Sequence, residues 1–85
     1  MVNRVLPDDG FAEAARAYAR QVAAGPTLAH AATKQLVATA VRQGARAADA
    51  LVPEVSGALF ATEDLRAAVA SFLTEGPGKA TYTGR

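Results

Sequence analysis

Gly25-Pro26-Thr27-Leu28-Ala29-His30-Ala31-Ala32-Thr33-Lys34-Gln35-Leu36-Val37-Ala38-Thr39-Ala40-Val41-Arg42-Gln43-Gly44 is the stretch that decides the fold class. Leu28, Ala32, Leu36 and Ala40 recur every four residues, and Val37 and Val41 widen the same stripe. A four-residue recurrence traces one face of an α-helix, whereas a half-buried strand would alternate at every second position. His30, Lys34 and Arg42 mark the wet side. Gly25-Pro26 closes whatever precedes, with Gly25 suited to a left-handed position after a helix end and Pro26 unable to continue it. Thr27 is placed to cap the new helix with its hydroxyl, and Gly44 is placed to end it.

The same period extends in both directions. Upstream, Phe11, Ala15, Tyr18 and Val22 follow at intervals of four, three and four, with Glu13, Arg16 and Arg20 on the other side. Asp8 and Asp9 precede that helix, where acids cap free N–H groups and meet the positive end of the helix dipole. Downstream, Ala48, Leu51, Val52, Val55 and Leu59 form a face over residues 45–60. Pro53 lies inside that segment. Its ring removes the hydrogen bond to the Asp49 carbonyl and clashes there, which predicts a kink or a split into two short helices. Gly57 weakens the second half further. Thr62-Glu63-Asp64 is the best helix start in the chain, a hydroxyl cap followed by two acids. Leu65, Ala68, Val69, Phe72 and Leu73 make its face, and Gly76-Pro77-Gly78 stops it. Residues 79–85 carry no helical pattern. Residues 1–6 are the one run compatible with a short strand. The expectation is a single all-α domain of three to four short helices, with a lead-in over residues 1–8, a helical body over 9–75 and an extended C-terminal tail over 76–85.

Composition narrows what such a domain can do. The 85 residues include 22 alanines but only seven leucines, eight valines and three phenylalanines, with no isoleucine or tryptophan. Alanine is the best helix former, yet it buries little area. The helices are therefore easy to form and the core of an isolated chain is thin, which predicts reliance on a second subunit or another partner. A formal net charge of +1 is too weak a field to suggest an acidic, membrane or nucleic-acid partner. No stretch is long and apolar enough to span a bilayer. The N-terminal residues lack the apolar core of a signal peptide. With no cysteine, disulfides, thiolate zinc sites and thiol nucleophiles are excluded, and a reducing cytoplasm is the expected location.

Few residues are candidates for chemistry. His30 is the only histidine; it sits one turn before Lys34 and reads as a solvated helix-surface residue. Ser56 and Ser71 lack a nucleophile signature. Asp8/Asp9 and Glu63/Asp64 are sequence neighbours that point about 100° apart on a helix, so they read as helix-start charges and not as an acid/base pair. Gly76-Pro77-Gly78-Lys79 follows a helix and opens none, the reverse of a phosphate loop. The seven arginines are spread along the chain, with Arg16/Arg20 and Arg42/Arg46 each one turn apart. A DNA-reading helix would gather them at one helix start. They read as a solvated face, with a small helical nucleic-acid-binding regulator as a minor alternative.

Read end to end, the chain resembles the C-terminal region of the enoyl-CoA hydratase/isomerase (crotonase) superfamily. Val2-Asn3-Arg4-Val5-Leu6-Pro7 is similar to the family's V-N-x-V-V-P segment. Ala23-Ala24-Gly25-Pro26, Ala32-Thr33-Lys34 and Leu59-Phe60-Ala61-Thr62-Glu63-Asp64 resemble its A-x-[GS]-P, A-T-K and F-x-[ST]-x-D motifs in order. Ala70-Ser71-Phe72-Leu73 and Tyr82-Thr83-Gly84-Arg85 resemble its A-F-L and terminal F-[TK]-G-R. The resemblance implies a crotonase C-terminal-domain-like fold that packs at subunit contacts and helps close an acyl-CoA site. It implies that the catalytic core, with the oxyanion hole and the catalytic carboxylates, lies outside this chain.

On that basis the expected function is that of a truncated enoyl-CoA hydratase/isomerase-like protein, an assembly or lid domain without catalytic residues of its own. The alternative is one half of a split or longer acyl-CoA enzyme completed by a separate core. By the same resemblance, Phe72 matches a phenylalanine that approaches the CoA adenine. Thr74-Glu75 stands where the family has Glu-Lys, so Lys79 is the candidate replacement for that lysine. No metal and no cofactor is expected beyond a coenzyme A thioester as the family substrate. The expected partner is a second copy of the chain or a crotonase core, with no nucleic acid and no membrane.

Overall fold

A computed structural model describes residues 2–85. Their regular structure is four helices: α1 Phe11–Ala23, α2 Thr27–Gln43, α3 Ala45–Phe60 and α4 Glu63–Glu75. The all-α expectation holds. Residues 2–6 contain no strand; Met1, the other end of that candidate run, lies outside the described residues. Residues 79–85 are irregular, as their lack of pattern predicts.

The helices do not close into a ball. α2 packs lengthwise on α3, α4 meets α3 over a smaller area, and α1 has no comparable helical neighbour. Ala48 and Val55 of α3 are the buried apolar residues, with Leu28, Leu36, Leu51 and Leu59 half-buried around them. The extents are 44 × 39 × 19 Å and the radius of gyration is 15.9 Å. A compact domain of this length has a radius of gyration of roughly 12 Å. The exposed surface is 6847 Å², against about 4,700 Å² for a compact chain of this mass. The alanine-rich composition thus appears directly as a thin, open plate.

α3 corrects the expectation at Pro53. The helix runs unbroken through it. Pro53 and Val55 are two residues apart, hence about 200° around the helix, and Pro53 is exposed while Val55 is buried. Asp49, whose carbonyl loses its helical donor, is also exposed, so water can satisfy that oxygen. Packing of Ala48, Leu51 and Val55 against α2 holds the helix together across the defect. Gly57 does not interrupt it either.

Two capping expectations are also corrected. α1 begins two residues later than Asp9 and has Gly10 at its N-cap, with no side chain capping it. Asp8 contributes only its backbone carbonyl, which accepts from the Phe11 N–H at 3.3 Å. At α2, Pro26 is the N-cap and Thr27 is the first helical residue, so the Thr27 hydroxyl caps nothing. At α4 the expectation holds: the Thr62 hydroxyl accepts from the Leu65 N–H at 3.2 Å and donates to the Leu59 carbonyl at 2.6 Å. Gly44 (φ 95°) separates α2 from α3, and Gly76 (φ 83°) ends α4; both angles favour a residue without Cβ.

Gly25 is required for a different reason than expected. It does not take a left-handed conformation. A Cβ at Gly25 would lie 3.0 Å from His30 Cε1 and 3.1 Å from the Val22 carbonyl oxygen. His30 is therefore a half-buried residue folded under the α1–α2 corner, where the sequence suggests a solvated one. Gly25→Ala should lower stability by about 1 kcal/mol through this overpacking. In a double-mutant cycle read by urea melts, His30→Ala should recover part of that loss. An equal loss in both backgrounds would show that the ring is not the obstacle.

Candidate functional site

The most constrained point of the chain is where the starts of α2 and α4 and the end of α3 meet the C-terminal tail. Asp64 lies in the first turn of α4 and is the buried charged residue, 6% exposed. One carboxylate oxygen, Oδ1, accepts from the Thr83 N–H at 2.8 Å and from the Thr83 hydroxyl at 3.1 Å. The other, Oδ2, accepts from the Gly84 N–H at 2.8 Å. The Asp64 N–H in turn donates to the Arg85 carbonyl at 2.8 Å. A helix start leaves backbone N–H groups without intrahelical acceptors; here the tail supplies an acceptor, and the aspartate returns two acceptor oxygens to the tail. On its other side the tail touches α2, since a Cβ on Gly84 would lie 3.4 Å from the Thr27 hydroxyl.

These contacts hold the Asp64 carboxyl below the ordinary aspartate value. The Thr83 N–H is the largest cause, followed in the same direction by the Gly84 N–H and the Thr83 hydroxyl, with desolvation opposing. A carboxylate stabilised in the folded state contributes fully above its unfolded pKa, roughly 4. That contribution is lost as pH falls below this value and through the lower folded one. Asp64→Ala should therefore free the tail while leaving α2 and α3 packed. Exchange of the Thr83 and Gly84 amides should accelerate by roughly tenfold or more at neutral pH. In the native chain the same acceleration should appear only in acid. Protection that is unaffected by the substitution would contradict the contact.

Beside the clamp, the tail and α4 enclose an open, mainly apolar cleft of about 350 Å³ lined by Val69, Phe72, Leu73, Pro77 and Tyr82 among others. Phe72 is 59% exposed at this cleft. Lys79 is exposed and does not line it, although its neighbours Gly78 and Ala80 do. The structure thus brings Phe72 to the cleft and leaves Lys79 outside. A second opening of about 360 Å³ lies between α2 and α3, bordered by Leu28, Gln35, Glu54 and Leu59.

The remaining sequence candidates do not converge. His30 faces the α1–α2 corner. The arginines are distributed over the lead-in, all four helices and the tail, and Arg4 is stacked over the Tyr18 ring at 4.8 Å. Among the described residues no three His, Asp or Glu side chains are grouped to hold a metal ion, and no helix is long and apolar enough to cross a membrane.

Sequence periodicity treats Asp64 as a helix-start charge, and its partners are 19 and 20 residues away. Nothing in the local spacing of Thr62-Glu63-Asp64 or of Thr83-Gly84-Arg85 signals that the two segments meet. Comparisons of the chain with protein-family models, with curated proteins and with solved structures find no match.

Proposed function

We propose that this chain is an assembly and lid domain like the C-terminal helical region of enoyl-CoA hydratases and isomerases, without catalytic residues of its own. The observation that carries the reading is the Asp64 clamp. The resemblance rests on short motifs in a fixed order, and two of them, far apart in sequence, meet through four hydrogen bonds. The open shape supports the reading as well: Val41, Phe60, Val69, Phe72 and Leu73 are exposed, as suits a domain that packs on a larger neighbour.

In this reading the neighbour supplies the thioester chemistry, which needs preorganised donors aimed at an enolate oxygen. The chain contributes closure of the acyl-CoA site, with the exposed Phe72 ring as the surface on which an adenine stacks. Lys79 is the nearby cation for a CoA phosphate. The test has two arms. Crotonyl-CoA added to the chain alone should not be hydrated, and turnover by the chain alone would overturn the assignment. Added to a crotonase-family core stripped of its C-terminal helices, the chain should form a stoichiometric complex. If it restores hydration in that complex, it acts as the missing part of a divided enzyme.

A further inference from the structure

The C-terminal tail turns back at the end of α4 and returns along the helix to its start, where Asp64 holds it. Gly76 (φ 83°), Pro77 and Gly78 (φ 77°) make the turn. Beyond it Ala80 and Tyr82 are half-buried, whereas Lys79, Thr81 and Thr83 are exposed. That is the every-second-residue alternation of an extended segment with one side laid on a surface.

The attachment of this segment is uneven. Among the described residues, residues 77–82 make no hydrogen bond to the helices. The tail's hydrogen bonds to the helices all end on Asp64, which accepts from Thr83 and Gly84 and donates to Arg85. There is also slack between the two fixed ends. α4 has 13 residues and is therefore about 20 Å long, while the run from Gly76 to Gly84 reaches roughly 30 Å when extended. The surplus lets the tail stand off the helix. The space beneath it is the cleft of about 350 Å³, with Ala68, Phe72 and Leu73 of α4 on one side and Pro77, Ala80 and Tyr82 of the tail on the other.

We propose that residues 77–85 are a strap that swings from α4 as one piece, hinged at Gly76-Pro77-Gly78 and latched by hydrogen bonds only at Asp64. The cleft has two walls when the strap is latched and one when it is released. Release is a local event in this geometry. The carboxylate and the freed N–H groups pass to water and are not left unpaired, and the packing of α2 on α3 is untouched. Openings of this kind belong to the low-stability end of a fold. Asp64 does not line the cleft, so it acts as a positioning residue, through Thr83 and Gly84 on the neighbouring Tyr82. Control of access to Phe72 by the strap rests on the acyl-CoA reading above; the strap itself is tested on the chain alone.

Two reporters sit away from the latch. Ala68→Cys puts a thiol on the half-buried floor of the cleft in a chain without native cysteine, and Lys79 is an exposed tryptic site within the strap. Asp64→Asn keeps the size of the side chain but turns an amide N–H toward donors. Thr83→Pro removes the N–H and the hydroxyl from the tail and leaves α4 unaltered, so it decides the case if Asp64→Asn does not fold. Either variant should raise both the reaction of the Ala68→Cys thiol with dithiobis(nitrobenzoate) and the cleavage after Lys79 by about tenfold or more, with the helical circular dichroism unchanged. Native values of either rate in a folded variant that has lost protection of the Gly84 amide would mean that the end frays without the strap moving, and would overturn the proposal. Native rates equal to those of the denatured chain would overturn it as well, because the strap would never be latched.

Discussion

Val55→Asp is expected to unfold the chain outright. Val55 and Ala48 are the buried apolar residues, and both lie on the side of α3 that meets α2. A single core in a chain of this size supplies about 3–5 kcal/mol at most. An unpaired carboxylate placed there loses several kcal/mol of hydration with no cation to compensate it. The penalty therefore equals or exceeds the whole stability. Far-ultraviolet circular dichroism should show loss of the cooperative thermal transition. The milder Val55→Ala removes two methyl groups and should cost about 2 kcal/mol, leaving a folded but weakened chain. A cooperative transition near the native midpoint in Val55→Asp would mean that the contact between α2 and α3 is not the core.

Pro53→Ala should act as strongly in the opposite direction. The proline sits in the interior of a continuous helix, where it denies the Asp49 carbonyl a donor and crowds the preceding turn. Relative to alanine that costs about 3 kcal/mol, offset by about 0.4–1 kcal/mol because proline also restricts the unfolded chain. The net gain on substitution is about 2 kcal/mol, or roughly 10 °C in melting temperature for a chain of this length. Pro53 is exposed, so no packing is lost to confuse the result. An unchanged or lower midpoint would show that the proline is accommodated by a local bend that the alanine helix cannot use.

The parts of the fold governed by local period were legible from the residues, and the parts governed by distant contacts were not. The faces of α1 to α4 follow the apolar spacing, and Gly44 and Gly76 mark real breaks because both need φ above zero. Pro53 misleads because its local cost is outweighed by the packing of Ala48 and Val55, which no window around residue 53 reveals. Gly25 misleads in the same way: its role is to admit the His30 ring, five residues on. Asp64 has the largest gap between local and actual role. A helix-start acid ordinarily faces its own free N–H groups, and here the carboxylate is turned to Thr83 and Gly84. Only the fold shows that the two segments touch.

The chain's open shape follows from the same causes. Alanine supplies helix without supplying area, so four helices form while few side chains reach one another. The surfaces left over are the row on α1 and the apolar sides of α3 and α4, including Phe72 at the cleft by the tail.

The most direct test of the central claim is sedimentation velocity of the chain with a crotonase-family core that lacks its own C-terminal helices. The account predicts that the two co-sediment in equal numbers of chains, and that Asp64→Ala weakens the complex by freeing the tail. Chain and core that sediment separately at tens of micromolar would contradict it.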